Sequence, residues 1–131
     1  VGRSSTGPAI YGWSSSGYAG YFDGDVGQGR TDDGLVKAAV YANCRDSGSS
    51  ITRFFNNVNG ATITITDGAG AGKCTIDFGF TVNDRYFVAT AWTSAARFVS
   101  CEWGADAEKL DCYRWDTAGS GADGNIMVLI Y

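Results

Sequence analysis

Histidine is absent from this sequence of 131 residues. Its absence excludes Ser-His-Asp and Cys-His nucleophilic systems and removes the side chain that most often serves as a general base. A zinc site would need all the cysteine thiolates, since imidazole ligands are missing. We therefore predict that the chain is not an enzyme and that it binds no catalytic metal and no organic cofactor.

Grouped basic residues and long apolar runs are also missing. Ten lysines and arginines stand against fourteen acidic residues, for a formal net charge of −4. Because phosphate contacts need clustered basic side chains, we expect no nucleic-acid partner. The longest apolar run, residues 126–131, is far shorter than the roughly 20 residues of a membrane-spanning helix, so we expect no membrane insertion. The opening Val1, Gly2 and Arg3 do not look like a natural start, and we expect a processed chain or a fragment.

Proline is nearly absent, with one residue, whereas glycine is abundant, with 19. Glycine without a three-residue period is not typical of collagen, and between short runs rich in Thr, Val, Ile and aromatic residues it indicates tight turns between strands. We predict an all-β fold, an antiparallel β-sandwich or jelly-roll-like domain, with one helical turn at most, at residues 105–109. The predicted strands are residues 35–44, 50–58, 61–66, 74–82, 86–93, 98–103, 110–115 and 126–131.

The four cysteines, Cys44, Cys74, Cys101 and Cys112, lack any Cys-x-x-Cys spacing. Two disulfides in an oxidising, extracellular compartment fit them best; free buried thiols and a four-thiolate zinc site are the alternatives. Cys101 and Cys112 lie in consecutive predicted strands around a short turn, so a hairpin would place them opposite each other. Cys44 and Cys74 are then paired by elimination.

The composition changes near residue 29, which divides the chain into a Gly/Ser/aromatic segment, residues 1–29, and a β-sandwich domain, residues 30–131. Residues 10–26 read IYGWSSSGYAGYFDGDV. This segment resembles a repeat found in bacterial surface and phage tail-fibre-like proteins. The repeat is similar to YG-x-S-x-SGYAGYF-x-G-x-V and precedes a C-terminal domain. The resemblance implies a short, intertwined, trimeric β segment, a secreted or virion-surface location, and a structural, adhesive, fibre-tip-like function.

Aromatic side chains in this segment are predicted to pack between chains. A single repeat cannot bury its apolar face alone, and exposed rings would form a larger apolar patch than soluble monomers usually carry. Only one copy is present, with a tryptophan where a small or polar residue is usual, and a flexible linker is the alternative interpretation. The residues predicted to pack between the chains of a homotrimer are Tyr11, Trp13, Tyr18, Tyr21 and Phe22.

Two sequence features resemble enzymatic motifs without meeting their requirements. Residues 68–73 end in Gly-Lys like a phosphate-binding loop, but Cys74 replaces the required Ser or Thr and a strand follows, so we interpret them as a turn. Glu102 and Glu108 flank one hairpin turn, and two carboxylates suffice for a glycosidase. We interpret both as solvated acids on an exposed, disulfide-closed loop, which leaves a glycoside-acting enzyme as a third, less favoured function.

Oxygen-rich loops make calcium a candidate ligand, although EF-hand spacing is absent. The two groups of candidate calcium ligands are Asp23, Asp25, Asp32 and Asp33 in the first, and Asp116, Asp123 and Asn125 in the second.

Aromatic residues of the C-terminal half are candidates for stacking on sugars, namely Trp92, Trp103, Tyr113 and Trp115. Tyr113 and Trp115 share one face of their strand, and one face of that strand must be core, so we expect two of these aromatics to be buried. Trp103, beside a glycine turn, is expected to be exposed and is the candidate ligand contact. A surface glycan or a protein receptor is the expected ligand of the adhesive domain, and a monomeric carbohydrate-binding module is the alternative function.

Overall fold

Short strands joined by turns make up the part of the chain that the structure, a computed structural model, describes: Ser15, Ser16 and residues 36–131. No helix occurs in these residues; of the predicted helical turn at residues 105–109, residues 105–108 form a turn and Lys109 begins a strand. The strands are β1 Ala38–Cys44, β2 Ser50–Asn56, β3 Thr64–Asp67, β4 Lys73–Asp77, β5 Phe87–Ala91, β6 Phe98–Trp103, β7 Lys109–Trp115 and β8 Gly124–Ile130.

The strands form two four-stranded sheets, and every neighbouring pair is antiparallel. Sheet A has the order β2-β1-β8-β5, and sheet B has the order β3-β4-β7-β6. The predicted all-β antiparallel β-sandwich is thereby confirmed. Its jelly-roll-like variant and its trimeric assembly stay predictions.

The core lies between the sheets and follows from strict alternation in the central strands. In β1, β4, β7 and β8 every second residue is buried, as expected when one face of a pleated strand meets the partner sheet. Burying each large aliphatic or aromatic side chain contributes about 1.5–3 kcal/mol. The largest apolar side chains that are fully buried are Phe78, Ile76, Leu110, Ile126, Ile130, Val40, Val82 and Val128.

Two disulfides join the strands in different ways. Cys44 of β1 is bonded to Cys74 of β4 and links the two sheets, with 30 residues of sequence separation. Cys101 of β6 and Cys112 of β7 are opposite each other in one sheet and are bonded, with a separation of 11. Both predicted pairs are present, and two disulfides are compatible with an extracellular protein.

The inward face of β7 carries Arg114 where an aromatic residue was expected. Leu110, Cys112 and Arg114 point inward, and Arg114 is only 5% exposed. Its Nη1 donates to the carbonyl oxygens of Ala122, at 2.8 Å, and Asp123, at 2.7 Å. Burial lowers the pKa of Arg114, with Arg97 adding to the shift. The arginine thus closes one end of the sandwich by holding the β7–β8 loop.

Several sequence predictions fall outside the described residues. Apart from Ser15 and Ser16, which are exposed, they include the whole repeat-like line of residues 10–26. The proposed inter-chain contacts of Tyr11, Trp13, Tyr18, Tyr21 and Phe22 lie there, as does the first group of calcium candidates, residues 23–33.

Candidate functional site

The outer face of sheet B carries two parallel aromatic rings. Since Arg114 occupies the inward face of β7, Tyr113 and Trp115 point outward, and both are half-buried. The expectation that their face would be core was therefore wrong. Their ring planes differ by 15°, and their centroids lie 6.0 Å apart. We call this pair the aromatic platform.

Hydrogen bonds show that both rings lean across β6. Tyr113 Oη donates to Glu102 Oε1 at 2.8 Å, and Trp115 Nε1 donates to Ser100 Oγ at 3.4 Å. In the register, Ser100 is opposite Tyr113 and Glu102 is opposite Asp111, so each ring reaches a diagonal neighbour. The two rings stack on each other, and these hydrogen bonds hold their tips against the adjacent strand.

Charged and hydroxyl groups border the platform on its other side. Lys73 of β4 is directly opposite Tyr113, and its Nζ lies 5.6 Å from the centroid of the tyrosine ring. The hydroxyl of Thr75 donates to the carboxylate of Asp111, which is the next outward residue of β7. The outer face of sheet B therefore presents aromatic rings beside hydrogen-bond donors and acceptors.

Two shallow cavities lie on either side of Tyr113. One, of about 240 Å³, is lined by Ser100, Glu102, Tyr113 and Trp115 together with Cys101. The other, of about 220 Å³, is lined by Lys73, Thr75 and Asp111 among others. The tyrosine ring borders both, so one extended ligand can contact the two cavities across it.

The hydroxyl of Tyr113 is held in its neutral form. Its hydrogen bond to Glu102, assisted by desolvation and by the charges of Glu102 and Asp111, raises the pKa of Tyr113 above the usual value for a phenol. Tyr113 therefore keeps its hydroxyl proton at physiological pH and donates it in the hydrogen bond to Glu102.

The outer face of sheet A is different, because it is largely apolar. One row crosses all four strands in the order Phe55, Ala39, Leu129 and Val88. The next row places Arg53, Tyr41, Met127 and Thr90 side by side.

Trp92 extends this apolar face just beyond β5. Its indole packs edge-on against Tyr41, with centroids 5.9 Å apart, while Arg53 covers the same tyrosine at 5.3 Å. Phe55 is 47% exposed, Val88 53% and Trp92 57%. We call this surface the apolar face of sheet A.

The four aromatic residues proposed from the sequence as a single sugar platform lie in three places. Only Tyr113 and Trp115 are together. Trp92 belongs to the apolar face of sheet A, and Trp103 packs edge-on against Phe87 at 4.9 Å, between β6 and β5. Trp103 is 44% exposed, in agreement with the expectation for it, but it points along the edge of the sandwich rather than onto the aromatic platform.

Glu102 and Glu108 do not share a pocket. Glu102 binds the hydroxyl of Tyr113 on the outer face of β6, whereas Glu108 lies in the β6–β7 turn, and both are exposed. The two acids therefore do not line one cleft, as the paired carboxylates of a glycosidase do.

In the second group of calcium candidates, the two carboxylates accept hydrogen bonds from backbone N–H groups of turns. Asp116 Oδ1 accepts the backbone N–H groups of Ala118 and Ser120, each at 2.9 Å. Asp123 Oδ1 accepts those of Gly72 at 2.8 Å and Asp46 at 3.2 Å. Within residues 36–131 no three acidic or cysteine side chains form a group suited to a metal ion.

The loop that resembles a phosphate-binding motif forms the β3–β4 turn as predicted, with residues 68–72 in the turn and Lys73 at the start of β4. Gly68 N donates to the Lys73 carbonyl at 3.1 Å, and a strand follows.

No family model, no curated protein and no solved structure matches this chain. None of the described residues forms a helix long and apolar enough to span a membrane.

Proposed function

We propose that this chain is a non-enzymatic, extracellular structural and adhesive domain, fibre-tip-like, that assembles as a homotrimer. The observation that carries the proposal is the apolar face of sheet A, which leaves Phe55, Val88 and Trp92 about half exposed across four strands. Soluble monomers rarely leave a contiguous apolar surface of this kind uncovered.

The chemistry of this face favours another copy of the chain as its occupant. Within the two rows described above, Arg53 is the one charged residue, so these rows suit a desolvated contact between identical subunits better than a charged partner. Burying each of the exposed rings would contribute about 1.5–3 kcal/mol to association. The resemblance of residues 10–26 to the repeats of trimeric fibres supports the same assembly, and the two disulfides support an extracellular location.

Sedimentation equilibrium of the intact chain tests the assembly. We expect three times the 13.8 kDa mass of one chain. The double variant Val88→Lys/Trp92→Lys places charge on the apolar face and is expected to sediment as a monomer. The matched control, Thr64→Lys/Thr66→Lys, adds the same charge to exposed positions of β3 in sheet B and is expected to stay trimeric. A monomeric intact chain at high concentration, or a full-strength trimer of the Val88/Trp92 variant, contradicts the proposal.

A monomeric carbohydrate-binding module is the second candidate function, and the aromatic platform of sheet B favours it. Both functions place a ligand on sheet B. They differ in whether the apolar face of sheet A is buried between copies of the chain. The mass measurement separates them, because a module needs no covered apolar face.

A further inference from the structure

We propose that the outer face of sheet B is a binding site for a neutral glycan of pyranose sugars, with Tyr113 and Trp115 as the stacking surface. The inference names the ligand class of the adhesive function proposed above and rests on that function. It uses the opposite sheet from the one proposed to assemble, so the two are tested by separate measurements.

The ring geometry is the first support. A pyranose ring has one face of C–H groups that packs on an aromatic surface, while its hydroxyl groups point outward around the rim. Tyr113 and Trp115 stack on each other, nearly parallel, with centroids 6.0 Å apart, and both line the first cavity. Their tips are fixed by Glu102 and Ser100, so the surface is ordered before a ligand arrives and little entropy is lost on binding.

The polar groups beside the rings are the second support. Sugar hydroxyls both donate and accept, so their site needs acceptors and donors within reach of one stacked ring. Glu102 and Ser100 border the first cavity. Lys73, Thr75 and Asp111 border the second, on the other side of Tyr113. A chain of two or more sugar units fits this arrangement, with one unit in each cavity.

The charge of the face selects a neutral glycan over an acidic one. Two carboxylates, Glu102 and Asp111, face the ligand against the single ammonium group of Lys73. An acidic sugar would meet net repulsion and would have to be desolvated beside like charge. The hydroxyls of a neutral sugar instead donate to these carboxylates, which makes strong charge-assisted hydrogen bonds.

Affinity electrophoresis of the intact chain tests the site, with galactomannan, xyloglucan or laminarin as neutral probes in the gel and polygalacturonate as the acidic probe. We expect retardation by at least one neutral polysaccharide and none by polygalacturonate. Trp115→Ala removes one of the two stacked rings. We therefore expect it to weaken the retardation at least about tenfold. Trp103→Ala, which removes an exposed indole outside the platform, is the matched control and is expected to bind like the unmodified chain.

Ser100→Gln is a second variant that tests the site independently, in case Trp115→Ala fails to fold. Ser100 is exposed, so a larger side chain there fills the cavity without altering the core. We expect it to lose binding while its circular dichroism spectrum is unchanged. The proposal is overturned if no neutral polysaccharide retards the chain, if polygalacturonate alone does so, or if both Trp115→Ala and Ser100→Gln bind normally. A trimeric mass in the same preparation shows that such a failure concerns the glycan site and not the assembly.

Discussion

At position 72 both the backbone conformation and the neighbouring atoms require glycine, whereas at position 119 only the backbone conformation does. Gly72 has φ of +72° and Gly119 has φ of +79°, so both disfavour a side chain. A Cβ at Gly72 would also lie 2.3 Å from the Arg114 carbonyl oxygen and 2.7 Å from that of Ala122, while nothing lies within 4 Å of one at Gly119.

Gly119→Ala should therefore lower the free energy of unfolding by about 1–2 kcal/mol, the cost of a left-handed alanine. Gly72→Ala should lower it by about 1–3 kcal/mol more, because rigid backbone atoms have to move. Urea unfolding of both variants measures the difference, and equal effects would show that the β3–β4 turn relaxes freely.

Asp67 links two turns and makes part of the stability depend on pH. The Ser49 side chain, the Ser49 backbone N–H and the Gly48 backbone N–H lower its pKa. The folded-state pKa then lies below the unfolded value of about 3.9, so this stabilisation is complete above that pH and is lost as the pH falls through the lowered pKa.

We expect Asp67→Asn to show a smaller drop in melting temperature on acidification from pH 6 to about pH 2 than the unmodified chain. Ser49→Ala, which removes the largest cause of the shift, should raise the pKa of Asp67 measured by NMR titration. An unchanged pKa in that variant would mean that the backbone donors alone hold the carboxylate.

The sequence of β7 shows how far alternation predicts a site. It correctly places Tyr113 and Trp115 on one face and Arg114 on the other. Hydropathy then assigns the aromatic pair to the core, which is wrong, because two carbonyl groups of the β7–β8 loop accept hydrogen bonds from Arg114 Nη1 inside the sandwich. Those acceptors come from loop geometry, which no pattern within β7 contains.

At the scale of elements, the sequence predicts the strands better than their ends. The predicted strand at residues 74–82 leaves the ladder after Asp77, although Phe78, Phe80 and Val82 continue the buried alternation. Gly79 has φ of +68°, outside the extended range, and its N–H binds the Asp77 side chain at 2.9 Å. Side-chain alternation thus persists beyond the paired backbone, and only the glycine and aspartate signal the break.

The two disulfides differ in the loops that they close, and their removal should differ accordingly. In the chain-entropy model, a separation of 30 residues corresponds to about 4 kcal/mol and one of 11 to about 3 kcal/mol. Cys44 and Cys74 are also both buried between the sheets, whereas Cys101 is only half-buried. We expect Cys44→Ala/Cys74→Ala to destabilise the fold more than Cys101→Ala/Cys112→Ala, as measured by guanidinium unfolding. The reverse order would mean that the β6–β7 hairpin depends on its own bond to form.

At the scale of the whole molecule, the sequence predicts a sandwich but not the character of its two outer faces. Phe55, Leu129 and Val88 are far apart in sequence and become one row only through the strand order β2-β1-β8-β5. The same holds for Lys73 beside Tyr113, which requires that β4 pair with β7. Each face is produced by long-range pairing, which local patterns do not encode.

Deleting residues 1–28 tests how the N-terminal segment contributes to assembly. All eight described strands and both disulfides lie after the deletion point, so the shortened chain should still unfold cooperatively. The predicted inter-chain packing of Tyr11, Trp13, Tyr18, Tyr21 and Phe22 would be lost.

Since each buried ring contributes about 1.5–3 kcal/mol, the trimer should weaken by at least about tenfold in its dissociation constant. Sedimentation equilibrium over a range of concentrations measures this change, with the intact chain as reference. A full-strength trimer of the shortened chain would leave the apolar face of sheet A as the whole interface and would remove the inter-chain role of the five aromatic residues. Loss of cooperative unfolding would instead show that the first 28 residues belong to the folded unit, because the sandwich alone would then be unable to retain its core.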